Sequence, residues 1–156
     1  ADVVVMSSYA PLFANPHWQK WKPVAVLFDN TRAYATPSHH VQVMFATNRP
    51  DVVLPVRAAP TLFAAAGLKR DSGDVILKVV NRGAEPVGTR IELAGRTADY
   101  SRVTSTAMSA DALSDENTFD RPQKIAPRIS SLSGLNKGGN HVFQPYSVTV
   151  LRWSKK

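Results

Sequence analysis

The sequence predicts a mainly β protein: one β/α unit over residues 1–50, followed by an antiparallel β-sandwich of jelly-roll type over residues 51–156. Three observations point there. The character of the chain changes at Pro50; a single helical window precedes that point; and several short apolar segments separated by Gly, Pro, Asn and Asp follow it, with no helical window among them.

The elements follow in order. "VVVM", Val3 to Met6, is a continuous apolar run closed by Ser7 and Ser8, the pattern of a strand covered on both faces of a parallel sheet. An aromatic-rich loop, "YAPLFANPHWQKWKP", leads to the short apolar stretch "VAVLF". A helix signal follows: Thr36 can cap, Pro37 suits the first helical position, and Val41, Met44 and Phe45 fall at i, i+3 and i+4. Asn48 before Arg49-Pro50 stops it. A parallel sheet needs several strands with helices on its faces, so residues 1–50 are either an appendage on the sandwich or the end of a larger α/β domain.

Beyond Pro50, "TLFAAAGL" and "DVILKVVN" flank the turn-rich "KRDSG" and predict a hairpin. "VVLPVRA", "GTRIELAG", "YSRVTSTAM" and the terminal "YSVTVLRW" complete the predicted strands.

Composition narrows the chemistry. With 156 residues, 44% of them hydrophobic, the chain can bury a core as one domain or slightly more. Its apolar runs are too short to span a membrane, and its start lacks the layout of a signal peptide, although Ala1 in place of an initiator Met is consistent with a cleaved leader. The absence of cysteine excludes disulfides, thiolate metal sites and a cysteine nucleophile. A net charge of +7 permits attraction to polyanions. The basic residues are nevertheless dispersed, as Lys20/Lys22, Lys69/Arg70, Lys155/Lys156 and a looser Arg121, Lys124 and Arg128, with no stacking motif or recognition helix, so nucleic acid is not an expected partner.

Candidate chemical groups are few. Glycoside hydrolysis uses two flanking carboxyl groups, about 5 Å apart in retaining enzymes. The three Glu, at 85, 92 and 116, sit in a turn, on the solvent side of a strand and in a loop, so no catalytic residue is assigned. "SADALSDENTFD" gathers Asp111, Asp115, Glu116 and Asp120; the spacing is not that of an EF-hand, and Asx turns explain it better than Ca²⁺. His39 and His40 diverge by about 100° on a helix and do not chelate one ion, and His17 and His141 have no metal-ligand spacing. Neither a metal nor another cofactor is expected. Ser7, Ser8 and His17 lack the frame of a nucleophile elbow. The aromatics Tyr9, Phe13, Trp18 and Trp21 remain: flat rings suit the C–H faces of sugars, and loops after parallel strands hold α/β active sites. Covering a neighbouring domain is the competing role.

Four stretches together, "SSYAPLFAN", "WKPVAVLFDNTRAYATPSHHVQVMFATNRPD", "ENTFDRPQKIAP" and "FQPYSVTVLRW", resemble the α-L-arabinofuranosidases of glycoside hydrolase family fifty-one. The resemblance implies that residues 1–50 are the last strand and helix of a (β/α)₈ barrel and 51–156 the sandwich that follows it. It implies retaining removal of arabinofuranosyl groups from arabinoxylan and arabinan by two Glu on earlier barrel strands, outside this chain. Tyr9, Trp18 and Trp21 would then line the pocket rim. His39 and His40 depart from the tyrosines often found there. The implied partners are the barrel and an arabinose-containing polysaccharide, which favours a secreted or periplasmic location. The alternative is a free-standing carbohydrate-binding module stacking Trp18, Trp21, Tyr100 or Tyr146 on polysaccharide; a barrel carried on a separate polypeptide is a third arrangement. A bare apolar edge at Val3 to Met6 would drive self-association through residues 1–50.

Overall fold

The computed structural model describes residues 6–20, 22–95 and 100–155. Val3 to Val5 of the expected first strand, and Trp21 of the expected rim, lie outside them.

The first part of the chain builds a small sheet from β1 (Phe13–Ala14), β2 (Val26–Phe28) and β3 (Ala33–Ala35). The β1/β2 pair is parallel and β2/β3 antiparallel. Helix α1 (Pro37–Thr47) follows, with the predicted Thr36 at its N-cap, Pro37 as its first residue and Asn48 at its C-cap. Thr36 has the extended backbone of an N-cap but makes no side-chain cap. Its hydroxyl donates instead to the carbonyls of Val24 and Ala25, at 2.6 and 3.0 Å, tying the helix start to the strand below it.

The rest is antiparallel. Strands β4 (Val52–Leu54), β5 (Leu62–Leu68), β6 (Val75–Asn81), β8 (Arg102–Ser109), β9 (Arg128–Leu132) and β11 (Ser147–Ser154) form a six-stranded sheet in the order β4-β5-β6-β11-β8-β9. β7 (Val87–Glu92) and β10 (Gly138–Phe143) form a separate pair. The predicted β5/β6 hairpin is present, running from Leu62↔Asn81 to Leu68↔Val75. "VVLPVRA" yields only Val52–Leu54, because Pro55 has no N–H for the ladder.

Four strands lie outside the predicted set: the short β1 and β3 of the first sheet, and β9 and β10 here. "RISSL" is short and polar, and "GGNHVF" begins with two glycines that resemble a turn. Gly138 has φ +92°, and a Cβ there would meet the Ile91 carbonyl oxygen at 2.4 Å, so the glycine admits the close approach of β7.

Alternation on the central strands divides the core between two layers. Val75, Val79, Val103, Leu151 and Trp153 face the β7/β10 pair and pack with Ile91, Leu135 and Phe143. Ile76, Met108 and Val150 face the other way and pack with Met44 and Ile125; Val41 and Phe45 of α1 flank them, as the helical spacing predicts. A sheet covered on both faces explains why "DVILKVVN" and "SVTVLRW" are apolar at consecutive positions. Trp153 satisfies its indole N–H on the Leu135 carbonyl at 2.8 Å. Arg152 reaches across to the buried Asp74 at 2.6 Å. No helix among the described residues is long and apolar enough to cross a membrane.

Candidate functional site

The aromatic loop is positioned by the parallel β1/β2 pair, whose ladder is extended by bonds from the Ala25 and Val26 amides to the carbonyls of Pro11 and Leu12, at 3.3 and 2.8 Å. Asn15 then turns the chain: its side chain accepts from the His17 amide and its carbonyl from the Trp18 amide, each at 3.0 Å. Across from this turn lies the β2–β3 connection, organised by Asp29. One Asp29 oxygen accepts from the Thr31 amide, the Thr31 hydroxyl and the Arg32 amide, and the other from the Arg32 guanidinium. The Thr31 amide bond, with the remaining bonds of this turn, holds the Asp29 carboxyl down to about 2.

Between the two turns is an open groove of about 470 Å³ lined by Asn15, His17, Trp18, Asp29, Asn30 and Thr31. Trp18 is 82% exposed, so its indole face is available for contact. Tyr9 is half-buried and outside the groove lining, its hydroxyl enclosed without a partner among the described residues. The structure therefore brings Trp18 to a groove and leaves Tyr9 apart from it. Tyr100, weighed as a stacking residue, is 3% exposed in the sandwich core and presents no ring to solvent; Tyr146 is half-buried.

The groove holds one carboxylate, Asp29, ionised far below neutral pH and consumed by its own turn, so it has neither a proton to give nor a free lone pair directed outward. The three Glu are exposed: Glu116 pairs with Lys22 and Glu92 with Arg90, each at 3.1 Å. The acidic loop serves itself. Asp115 accepts from the amides of Asp111 and Ala112 and pairs with Lys124 at 2.5 Å. What this surface offers is a ring and polar groups for binding.

Sequence reasoning missed two buried asparagines, one that ties down the segment carrying the groove and one that ties the sandwich together. Asn117 is 2% exposed; its amide donates to the carbonyls of Ala35 and Ile125 and its oxygen accepts from the Ile125 amide. Beside it Phe119 meets Tyr34 edge-on at 4.9 Å and carries the Arg32 guanidinium at 4.5 Å. The "ENTFDRPQKIAP" stretch thus clasps the segment that forms β2 and β3. Asn81, 1% exposed, bridges β6 to the carbonyls of Phe143 and Gln144. Asparagine is common in turns, and only the contacts across long sequence separations distinguish these two.

A family model for the α-L-arabinofuranosidase C-terminal domain matches residues 1–147. The chain is 32% identical over 155 residues to α-L-arabinofuranosidase 1 of Arabidopsis thaliana, covering 94% of this chain and 23% of that protein. It is 41% identical over 61 residues to an extracellular exo-α-L-arabinofuranosidase of Streptomyces chartreusis, covering 39% of this chain and 7% of that one. Among solved structures, an arabinose-bound family fifty-one α-L-arabinofuranosidase superimposes with a TM-score of 0.86 at 25% identity, over 99% of this chain and 25% of that one. The thermostable enzyme of Thermotoga petrophila shares the fold with a TM-score of 0.72 at 16% identity, over 83% of this chain and 31% of that one. The chain spans about a quarter of the length of the Arabidopsis relative.

Proposed function

The chain belongs to the α-L-arabinofuranosidase C-terminal domain family, and on that premise we propose that it is the accessory, non-catalytic end of an arabinofuranosidase acting on arabinose-substituted polysaccharides such as arabinoxylan and arabinan. Residues 1–50 are the last strand and helix of the barrel, and residues 51–156 the sandwich that buttresses it. The observation that carries this reading is the exposure of Met6, Leu12, Phe13, Trp18 and Phe28, all within one short segment around the parallel β1/β2 pair of a three-stranded sheet. Parallel pairs are stable as parts of larger, covered sheets, and so many exposed large apolar side chains in one segment favour a contact with another body. A barrel would cover that surface, with Trp18, Tyr9 and Trp21 at the rim of its substrate pocket. Without the barrel the same surface drives self-association.

The two catalytic carboxyl groups of such an enzyme come from the barrel. The expected result is that the purified chain does not hydrolyse an aryl α-L-arabinofuranoside; turnover that persists through purification and is lost on substituting a carboxylate of this chain would overturn the proposal.

The exposed Trp18 ring favours one second reading, a carbohydrate-binding module. Affinity electrophoresis separates the two: retardation by arabinoxylan that Trp18→Ala abolishes supports the module, and unretarded migration supports the structural role.

A further inference from the structure

A second concavity lies in the sandwich, between the six-stranded sheet and β10, with a volume of about 490 Å³. Its floor is set by register. The row Trp153, Val103 and Leu132 crosses β11, β8 and β9 as apolar core. Two residues along the same face, the row becomes Leu151, Ser105 and Ser130; two further, Thr149, Ala107 and Arg128; and then Ser147 beside Ser109. One sheet face thus changes from hydrocarbon to hydroxyl across three adjacent strands, and the cleft opens where it changes.

These hydroxyls are not ordinary surface groups. Ser105, Ser147 and Thr149 are 5%, 3% and 3% exposed. Ser147 donates to the Gln144 carbonyl at 2.6 Å, whereas the Ser105 and Thr149 hydroxyls have no hydrogen-bond partner among the described residues. Neither is an enclosed, unsatisfied atom: although the residues are buried, both hydroxyls open onto the cleft, where they are free to bond a bound molecule, and the cleft is within the size range of ligand sites. His141 lines the opposite wall from β10, its ring edge-on to Phe143 at 4.8 Å. Burial lowers its pKa, so near neutral pH it offers one donor and one acceptor. The charged groups at the cleft balance: Lys124 pairs with Asp115, and Arg128 faces a lining that also holds Asp111. A balanced site has little pull on an anion.

We propose that this cleft binds a neutral polyhydroxylated ligand of monosaccharide size, such as a pentose unit, through the hydroxyls of Ser105 and Thr149 and the imidazole of His141. The site is separate from the Trp18 groove and needs nothing from a barrel, so it stands or falls independently of the function proposed above. Free sugar and the end of a chain present the same chemistry, and the test carries both.

The test is amide NMR of the whole chain titrated with L-arabinose, with arabinotriose and with inorganic phosphate. Saturable shifts at Ser105, Ser130, His141 and Thr149 are expected with a sugar; the tighter of the two sugars identifies free ligand or chain end. The double variant Ser105→Ala/Thr149→Val removes two neutral hydrogen bonds and should weaken binding by about fivefold or more, whereas Trp18→Ala should leave it unchanged. In the wild type, NOEs from the His141 ring to the sugar are expected whether or not the variant folds. Shifts with phosphate alone, an absence of saturable shifts or of those NOEs, or undiminished binding by a folded double variant would each overturn the proposal.

Discussion

The Lys78 ammonium donates a hydrogen bond to the Phe45 carbonyl at 3.1 Å and sits 4.5 Å above the centroid of the same residue's ring. Phe45 lies in the last turn of α1, where carbonyls have no partner within the helix, and Lys78 stands in the middle of β6. One cation therefore joins the helix terminus to the central sheet, at a site dry enough to lower the lysine's pKa through burial. Lys78→Met keeps most of the aliphatic stem and removes the ammonium. It should cost about 1–2 kcal/mol, from one charged hydrogen bond and one cation–π contact. Urea unfolding measures it; an unchanged midpoint would show that the contact contributes nothing.

The joint between the two parts of the chain has a second pin. A Cβ at Gly67 would lie 2.4 Å from the Pro50 Cβ and 2.7 Å from the Val52 carbonyl oxygen. The Pro50 ring therefore occupies the side-chain space that any other residue in this β5 position would need. Gly67→Ala should destabilise the chain by about 1–3 kcal/mol through overpacking. Pro50→Gly in the same chain relieves only the ring contact, so a double-mutant cycle should recover part of the loss. Full additivity of the two changes would show that the ring is not the obstacle.

These two pins show what was legible in the sequence. The helix announced itself through periodicity and the hairpin and long strands through their apolar runs, because Ile76, Val79 and Leu151 are placed by hydrophobic burial. The four quoted stretches placed the family, and the structure shows two of them in contact through Asn117 and Phe119. What stayed hidden depends on partners distant in sequence. Gly138 and Gly139 read as a turn until β7 is laid beside them, and Thr36 reads as a cap until the Val24 carbonyl is found 2.6 Å from its hydroxyl. The hydroxyl rows around Ser105 and Thr149 exist only in register across strands, and no pattern along one strand reveals them. Trp18 was singled out from composition, and the groove beside it needs the Asp29 turn, which comes from another loop.

Protonation of the histidines gives a pH dependence whose sign is fixed. His40 is held below its ordinary value of 6.5 first by burial and then by the charge of His39, and His141 is held below the same value by burial. In both cases the folded chain takes up the proton less readily than the unfolded chain does. Stability from these groups is therefore fully present above about pH 7, and it declines as the pH falls through 6.5 toward the lower folded values. Thermal unfolding followed from pH 8 to pH 5 should show a falling midpoint over that window. His141→Phe keeps an aromatic ring against Phe143 and removes one titrating group, so its midpoint should fall less steeply than that of the wild type. A slope unchanged by His141→Phe would show that His141 titrates alike in the folded and unfolded chain, and a midpoint that rises on acidification would overturn the sign for the pair.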